Sequence, residues 1–320
     1  MDLIRGLHNL QPAHRGCVAT IGNFDGVHLG HQAVLGQLAE QGRELALPTT
    51  VITFEPHPQE FFAGAAAPPR LTRFREKVLA LRRFAVDRVL CLPFDPRLAQ
   101  LPPEEFIRRV LVDGLGVRYL VVGDDFRFGH GRRGDFHLLQ AAGREHGFPV
   151  VNLHTFTIDG ERVSSTRIRA ALAAGDLATA EKLLGRPYRM RGRVARGDGR
   201  GRGIGFPTAN LHLHRRVSPV RGVFAVQMFG VEGEPVPGVA NLGNRPTVDG
   251  THSLLEVHLL DFQGDLYGRH VAVDFLHRIR DEQRFASLDA LVQQIHRDVA
   301  AARRYFAGPN RDPEGARSVR

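Results

Sequence analysis

The chain has two cysteines, Cys17 and Cys91, in 320 residues. That scarcity excludes a disulfide-stapled scaffold. Both flank or sit in apolar runs and read as small buried hydrophobes rather than a disulfide, a metal pair or a nucleophile. No uninterrupted apolar run approaches the roughly 20 residues needed to span a bilayer, so no membrane partner is expected. The stretch before Gly16 lacks the apolar core of a signal peptide and carries Asp2, which leads us to expect a cytoplasmic protein. Lysine is almost missing. Lys77 and Lys182 are the two among 43 basic residues, a skew that matches compositional bias of the genome. The balance against 34 acidic residues leaves a formal charge of +9, compatible with a solvated surface and with attraction for phosphorylated ligands. No long basic tract alternates with aromatics, so no nucleic-acid partner is expected.

What the chain does have is an ordinary globular balance, 42% hydrophobic and 24% charged, and room for two domains. Its most informative stretch is 18–31, V-A-T-I-G-N-F-D-G-V-H-L-G-H. It opens as a short apolar strand, turns through Gly22 and Gly26, and presents His28 and His31 three residues apart, on one face of an opening helical turn. A buried strand, a glycine-permitted turn and a helix N-terminus make a phosphate site, because free N–H groups and the helix dipole both favour an anion.

After it, 31–41 carries Val34, Leu35 and Leu38 at helical spacing. The β-branched run 49–54 reads as a buried strand that passes into Glu55-Pro56-His57-Pro58. The prolines hold an extended turn just past the strand's C-terminal end, where ligands bind in open α/β sheets. His57 there has two readings, ligand contact or turn packing. The run 63–69 reads as a loop. Helices are expected over 72–84, from 102 towards Gly114, and over 136–146, with strands at 88–92, 119–122 and 150–156. The strand at 119–122 delivers Gly123-Asp124-Asp125-Phe126-Arg127-Phe128-Gly129, a pocket floor or a solvated turn. Ser164-Ser165-Thr166-Arg167-Ile168-Arg169 then leads into a helix. Its hydroxyls are N-caps first. Arginines in a first turn oppose the helix dipole, a conflict that a bound phosphate would remove. Strand–helix alternation throughout predicts an α/β, Rossmann-like domain with a parallel sheet. We place its end at 185, before Gly185-Arg186-Pro187 breaks the last helical pattern.

Four stretches in this half, T-I-G-N-F-D-G-V-H-L-G-H at 20–31, T-F-E-P-H-P at 53–58, V-G-D-D-F-R-F-G at 122–129 and S-S-T-R-I-R at 164–169, closely resemble the His-x-Gly-His nucleotidylyltransferase superfamily. Within it they match the adenylyltransferase module of bacterial bifunctional riboflavin kinase/FMN adenylyltransferases.

After Tyr188 helical periodicity gives way to short β-type runs at 192–195, 223–229, 236–240, 254–260 and 271–275. They predict a small antiparallel barrel or sandwich over 186–308. In Leu255-Glu256-Val257-His258-Leu259 the alternation puts Glu256 and His258 on one face. From Ser287 an apolar stripe predicts a C-terminal helix on the barrel, and the polar tail at 309–320 is expected to be disordered. The chemical signal is G-x-G-x-G-R-G-I-G-F-P-T-A-N at 197–210. It is not a Walker A loop, since no Gly-Lys-Ser/Thr follows, nor a Rossmann fingerprint, since no helix does. Its backbone N–H groups can still cradle phosphates. Thr208 and Asn210, two apart, offer neutral oxygens to a hard cation such as Mg²⁺.

P-T-A-N at 207–210, G-V-A-N-L-G-N-R-P-T at 238–247, L-E-V-H-L-L-D-F at 255–262 and D-L-Y-G at 265–268 resemble the riboflavin kinase module of the same family. One departure is Arg221-Gly222-Val223-Phe224, where the family more often has an aromatic before the glycine and Tyr last. The resemblance implies two reactions with ATP: riboflavin to FMN, then FMN to FAD and pyrophosphate. It implies Glu256 as the base for the ribityl hydroxyl, Thr208 and Asn210 on Mg²⁺-ATP, and the loop with Gly201, Gly203 and Gly205 over the phosphates. For adenylylation it implies His28 and His31 on the triphosphate with Gly22 and Asn23 forming the turn. Ser165, Thr166 and Arg169 clamp the pyrophosphate side, with Arg167 set apart because the family varies there. Asp125 and Phe126 lie near adenosine or flavin, and Phe54, Pro56 and His57 near the flavin. Two alternatives stay open: an adenylyltransferase for another phosphorylated acceptor, and a barrel that only binds. Homo-oligomerisation is compatible with the sequence and not specified by it.

Overall fold

The apolar runs of the first half become parallel strands. The computed structural model of the chain describes residues 1–196, 200–231, 233–247 and 250–308. Two compact units divide between Arg167 and Ile168. In the first, β1 Asp2–Arg5, β2 Cys17–Ile21, β3 Thr49–Glu55, β4 Arg88–Pro93, β5 Val117–Gly123 and β6 Val150–Leu153 form a six-stranded sheet in the order β1-β4-β3-β2-β5-β6. Every pairing in it is parallel. All five residues of β2 and the first six of β3 are buried, as a sheet covered on both faces demands. Successive residues of β2 feed opposite cores. Cys17, Ala19 and Ile21 pack with Phe106, Ile107 and Leu120, and Val18 packs with Leu35, Leu38 and Val51.

The covering helices are α1 Leu29–Glu44, α2 Pro58–Ala63, α3 Phe74–Leu81, α4 Pro96–Ala99, α5 Pro103–Phe106, which continues as a π-helix Ile107–Val112, and α6 Phe136–His146. From β2 the chain steps through β3 to β4 on one side, then returns to place β5 on the other side of β2. That reversal makes the carboxyl ends of β2 and β5 the topological switch point, where a ligand crevice opens. The edge strand β1 was not legible in the sequence, because Ile4 is its one buried residue. The strand expected over 150–156 is shorter, and 157–162 instead forms a two-stranded hairpin of β7 Thr157–Ile158 and β8 Glu161–Arg162.

Helix α7, Ser165–Ala174, is followed by α8, Leu177–Leu184, which packs on two strands of the second unit. That unit is a closed antiparallel barrel of β9 Tyr188–Ala195, β10 Ala209–His212, β11 Gly222–Phe229, β12 Val236–Thr247, β13 Gly250–Leu259 and β14 His270–Arg280. Closure removes the exposed edges a sandwich would leave. Inside the glycine-rich stretch, read from sequence as a loop, one turn of helix forms, α9 Arg200–Gly203. Gly201 permits it: its carbonyl accepts from Phe206 N (2.8 Å), and a Cβ there would stand 2.4 Å from Phe206 O. Gly197, where that stretch begins, and the tail 309–320 lie outside the described residues. The departure at 221–224 is a matter of packing, since Phe224 is fully buried edge-on to Phe275, at 5.3 Å.

Helix α10, Leu288–Ala307, is capped by Ser287, whose Oγ accepts from Ala290 N. It lays Val299, Ala302, Tyr305 and Phe306 on Val223, Ala225, Val239 and Leu260 of the barrel's outer wall. An ion pair from Arg280 to the buried Asp298, 2.8 Å, fastens it.

Candidate active sites

At the end of β2 the chain makes a tight turn with two non-glycine residues at positive φ, Phe24 (49°) and Val27 (44°). Such conformations persist only where surrounding contacts over-determine them. Asp25 supplies those contacts. Its buried carboxylate accepts from Leu71 N (3.1 Å), Thr72 N (2.9 Å) and Thr72 Oγ (3.1 Å), and Thr72 Oγ also accepts from Gly26 N (3.0 Å). The turn's first half hangs on β3: Gly22 N donates to Ile52 O (3.0 Å) and the Thr53 hydroxyl donates to Asn23 O (3.4 Å). Beneath it lies Lys77, 2% exposed, whose Nζ donates to Thr53 Oγ at 3.2 Å. Burial lowers the Lys77 pKa, against the pull of Asp25 and Glu55.

The turn delivers both histidines to the start of α1. His28 is the N-cap, and its Nδ1 accepts from His31 N (3.3 Å), so a neutral His28 carries its proton on Nε2. The two rings stack 3.6 Å apart. His31 Nδ1 is buried without a hydrogen-bond partner, a vacancy that calls for an explanation in a well-packed protein. Burial, and then the charges of His28, Lys77 and Arg162, hold His31 well below the ordinary imidazole range, so it is neutral at neutral pH.

The other expected residues of this unit fall around the same carboxyl edge. Ser164 caps α7 by accepting from Arg167 N, and the Ser165 hydroxyl donates to Asp25 O at 2.9 Å. Thr166 is exposed. Arg167 spends its guanidinium on the hairpin, bonding Ile158 O and Glu161. Arg169, half-buried one turn further along α7, belongs to the second unit. Past β5, Asp125 pairs with Arg162 at 2.6 Å, and Phe126 stacks on Phe128. Past β3, His57 is buried and caps α2 by accepting from Gln59 N (3.1 Å). Pro56 is exposed and Phe54 buried. Phe54, Phe61 and Phe62 each meet Phe94 edge-on at 5.4–5.8 Å, and Phe62 is 70% exposed. Sequence reading singled out Phe54 but passed over Lys77, Arg162, Phe61 and Phe62. None of those passed over stands at a motif spacing.

In the barrel, register brings the chemistry together. Asn210 on β10 is the direct partner of Glu256 on β13, and Glu256 that of Asn241 on β12. Directly paired antiparallel residues project to the same face. Because Leu211, Leu255 and Val257 are buried inward, this polar rung lies on the outer wall. Thr208, one residue before β10, shares the side of Asn210, whose Nδ2 donates to Thr208 O (3.4 Å). His258, two along from Glu256, bonds Pro207 O through Nδ1 (2.9 Å), and Phe206 packs edge-on between His258 and His296. The P-T-A-N segment is thereby pinned to β13. Gly203 and Gly205 are exposed at its approach, and Gly201 is half-buried. Along the same wall a cleft is lined by Arg193, Arg196, His212, His214, Tyr267 and Gly268. Arg193 pairs with His212 in register, Arg196 lies over the Tyr267 ring at 5.6 Å, and Arg193 Nε donates to Gly268 O. Asn241 was inside a quoted motif, but only register singles it out. Among the described residues no cluster of three His, Cys, Asp or Glu side chains could hold a metal by itself.

Comparison with known proteins finds relatives for both halves of the chain. The family model described as FAD synthetase matches residues 10–167, and that described as riboflavin kinase matches 184–306. A bifunctional riboflavin kinase/FMN adenylyltransferase of Escherichia coli K12 is 57% identical, over 96% of this chain and 98% of its own length. One from Pseudomonas fluorescens is 56% identical, over 95% and 97%. A crystal structure from Streptococcus pneumoniae, named as a macrolide-efflux protein, matches with a TM-score of 0.78 and 31% identity, covering 95% of this chain and 99% of that one. Among the described residues no helix here is long and apolar enough to cross a membrane.

Proposed function

This chain belongs to the family of bifunctional riboflavin kinase/FMN adenylyltransferases, and from that premise we propose how its residues divide the two reactions. The chain phosphorylates riboflavin to FMN with ATP, and adenylylates FMN with a second ATP to give FAD and pyrophosphate. We assign adenylylation to 1–185 and phosphorylation to 186–308. The change of sequence texture after 185 and the two family matches support that division.

In the kinase step the ribityl hydroxyl attacks the γ-phosphorus of ATP, the β–γ bridging bond breaks and ADP leaves. The hydroxyl must lose a proton, and Glu256 is the carboxylate of the polar rung that takes it. Thr208 and Asn210 fit Mg²⁺: two hard, neutral oxygens beside a phosphate site, with the triphosphate supplying negative charge. Bound there, the ion would neutralise charge on the transferring phosphoryl group. The cleft with Arg193, Arg196, His212, His214 and Tyr267 offers cations to the phosphates and an aromatic face to the base.

In adenylylation the FMN phosphate attacks the α-phosphorus of ATP and pyrophosphate departs. The nucleophile is already ionised, so no base is required, only orientation and neutralisation of the pentavalent charge. His28 and His31 present N–H groups to the triphosphate at the α1 N-terminus, beside the Gly22–Asn23 turn. Ser165 and Thr166 border the same turn, and Arg162 exchanges its pairing with Asp125 for phosphate. Phe126, or the aromatic group with the exposed Phe62, gives the isoalloxazine ring a surface past β5 or β3. Both reactions draw on ATP, which supports a cytoplasmic setting, and neither requires a nucleic acid or a membrane.

The observation that carries this reading is that His31 Nδ1 stands buried and unpartnered at the switch point of one unit, while Glu256 and Asn210 share a rung of the other. Incubating the protein with riboflavin, ATP and Mg²⁺ and resolving FMN from FAD over time tests it. FMN should appear first and FAD follow. With His28→Ala the reaction should stop at FMN, and loss of both products would sink the two-site assignment.

A further inference from the structure

We propose that Lys77 is a positioning residue for adenylylation: through Thr53 it locks the Gly22–Asn23 turn in its phosphate-receiving form. The inference rests on the reading of that turn as a phosphate site. In a chain whose 43 basic residues include just Lys77 and Lys182 as lysines, Lys77 is placed 2% exposed on α3. Burying an ammonium is unfavourable, and an apolar side chain would serve packing better.

The hydrogen bonds show what the ammonium does instead. A threonine hydroxyl has one proton. Lys77 Nζ donates to Thr53 Oγ at 3.2 Å, which turns the hydroxyl proton outward to Asn23 O at 3.4 Å. Thr53 is itself fully buried. Without Lys77 the hydroxyl is free to rotate and the carbonyl of Asn23 loses its anchor. A guanidinium would bring five donors to a place where Thr53 offers a single hydroxyl. The charges felt at Lys77 come from Asp25, Glu55, Arg70 and Cys91, and those felt at His31 from His28, Lys77 and Arg162. Lys77 thus also helps keep His31 neutral without touching substrate.

The test compares Lys77→Met, Thr53→Val, Thr53→Ser, the Lys77→Met/Thr53→Val double variant and His31→Ala in the full chain. Riboflavin phosphorylation and FMN adenylylation are assayed separately, with thermal unfolding alongside. Lys77→Met should raise the KM for ATP in adenylylation about tenfold, leave riboflavin phosphorylation unchanged, and leave the melting temperature level or higher. Thr53→Val should cause a similar loss, Thr53→Ser should recover most of it, and the double variant should be no worse than the single ones, as a shared path requires. The acid limb of the adenylylation pH profile should move to higher pH in Lys77→Met, because His31 regains a proton more easily. Unchanged ATP kinetics in Lys77→Met, additive losses in the double variant, or activity that falls only with the folded fraction would each overturn the proposal. Full adenylylation by His31→Ala would instead overturn the reading of the turn itself.

Discussion

At the carboxyl edge of the first unit's sheet the polar side chains gathered are two stacked imidazoles and an arginine over a buried lysine. On the outer wall of the barrel they are a carboxylate flanked in register by two asparagines. Both places are suited to a nucleoside triphosphate, yet in the proposed reading only the second asks one of its side chains to act as a base. The difference follows from the nucleophile. A phosphate monoester arrives ionised and asks only for its repulsion from ATP to be offset. An alcohol must be deprotonated as it attacks. The scaffolds match these needs. A switch point supplies helix N-termini and a strained turn, and an antiparallel wall supplies side chains in fixed rungs.

The sharpest way to break this comparison is at Glu256. Glu256→Gln should lower riboflavin phosphorylation by about 10²- to 10⁴-fold, the range for loss of a general base, and leave FAD formation from supplied FMN intact. His28→Ala should lower FMN adenylylation by about 10²- to 10³-fold, the range for loss of a transition-state donor, with riboflavin phosphorylation unaffected. Assaying each variant with riboflavin and with FMN decides both. If either change lowered the two rates alike, the division of chemistry between the units would be wrong.

A smaller effect separates turn from wall. Asp25→Ala orphans three donors and should destabilise the first unit by about 3 kcal/mol, read as a lower melting transition while kinase activity persists. Smaller still, Ser165→Ala removes one hydrogen bond to Asp25 O. It should cost about 1 kcal/mol and raise the KM for ATP in adenylylation several-fold.

Much of this was legible in the sequence where the signal is local. Buried parallel strands read as apolar runs, and Ser287 and the stripe behind it announced α10. The stretches that carry His28, Ser165, Thr208 and Glu256 were plain. Other parts were not. β1 has one buried residue in four, too little pattern for a strand. α9 forms because Gly201 brings its carbonyl against Phe206, which composition alone reads as loop. His57 had two readings, and the sequence could not show that its ring accepts from Gln59 N. Lys77 and Arg162 belong to no motif and gain meaning only from what lies above them.

The sequence by itself determined which residues can do chemistry and which of the longer, strongly patterned segments are strand or helix. Those properties follow from side-chain type and from periodicities that span a few residues. Tertiary structure decided that β5 returns beside β2 and makes a topological switch point there, and that Asn210, Glu256 and Asn241 share one rung. It also decided that an ammonium on α3 reaches a hydroxyl on β3. Each of these joins residues distant along the chain, and strand order and register arise from closing long loops against a common core, which no local pattern encodes. The arginine-rich composition disguised the one buried lysine as an ordinary member of a basic surface, until the fold placed it under the phosphate turn.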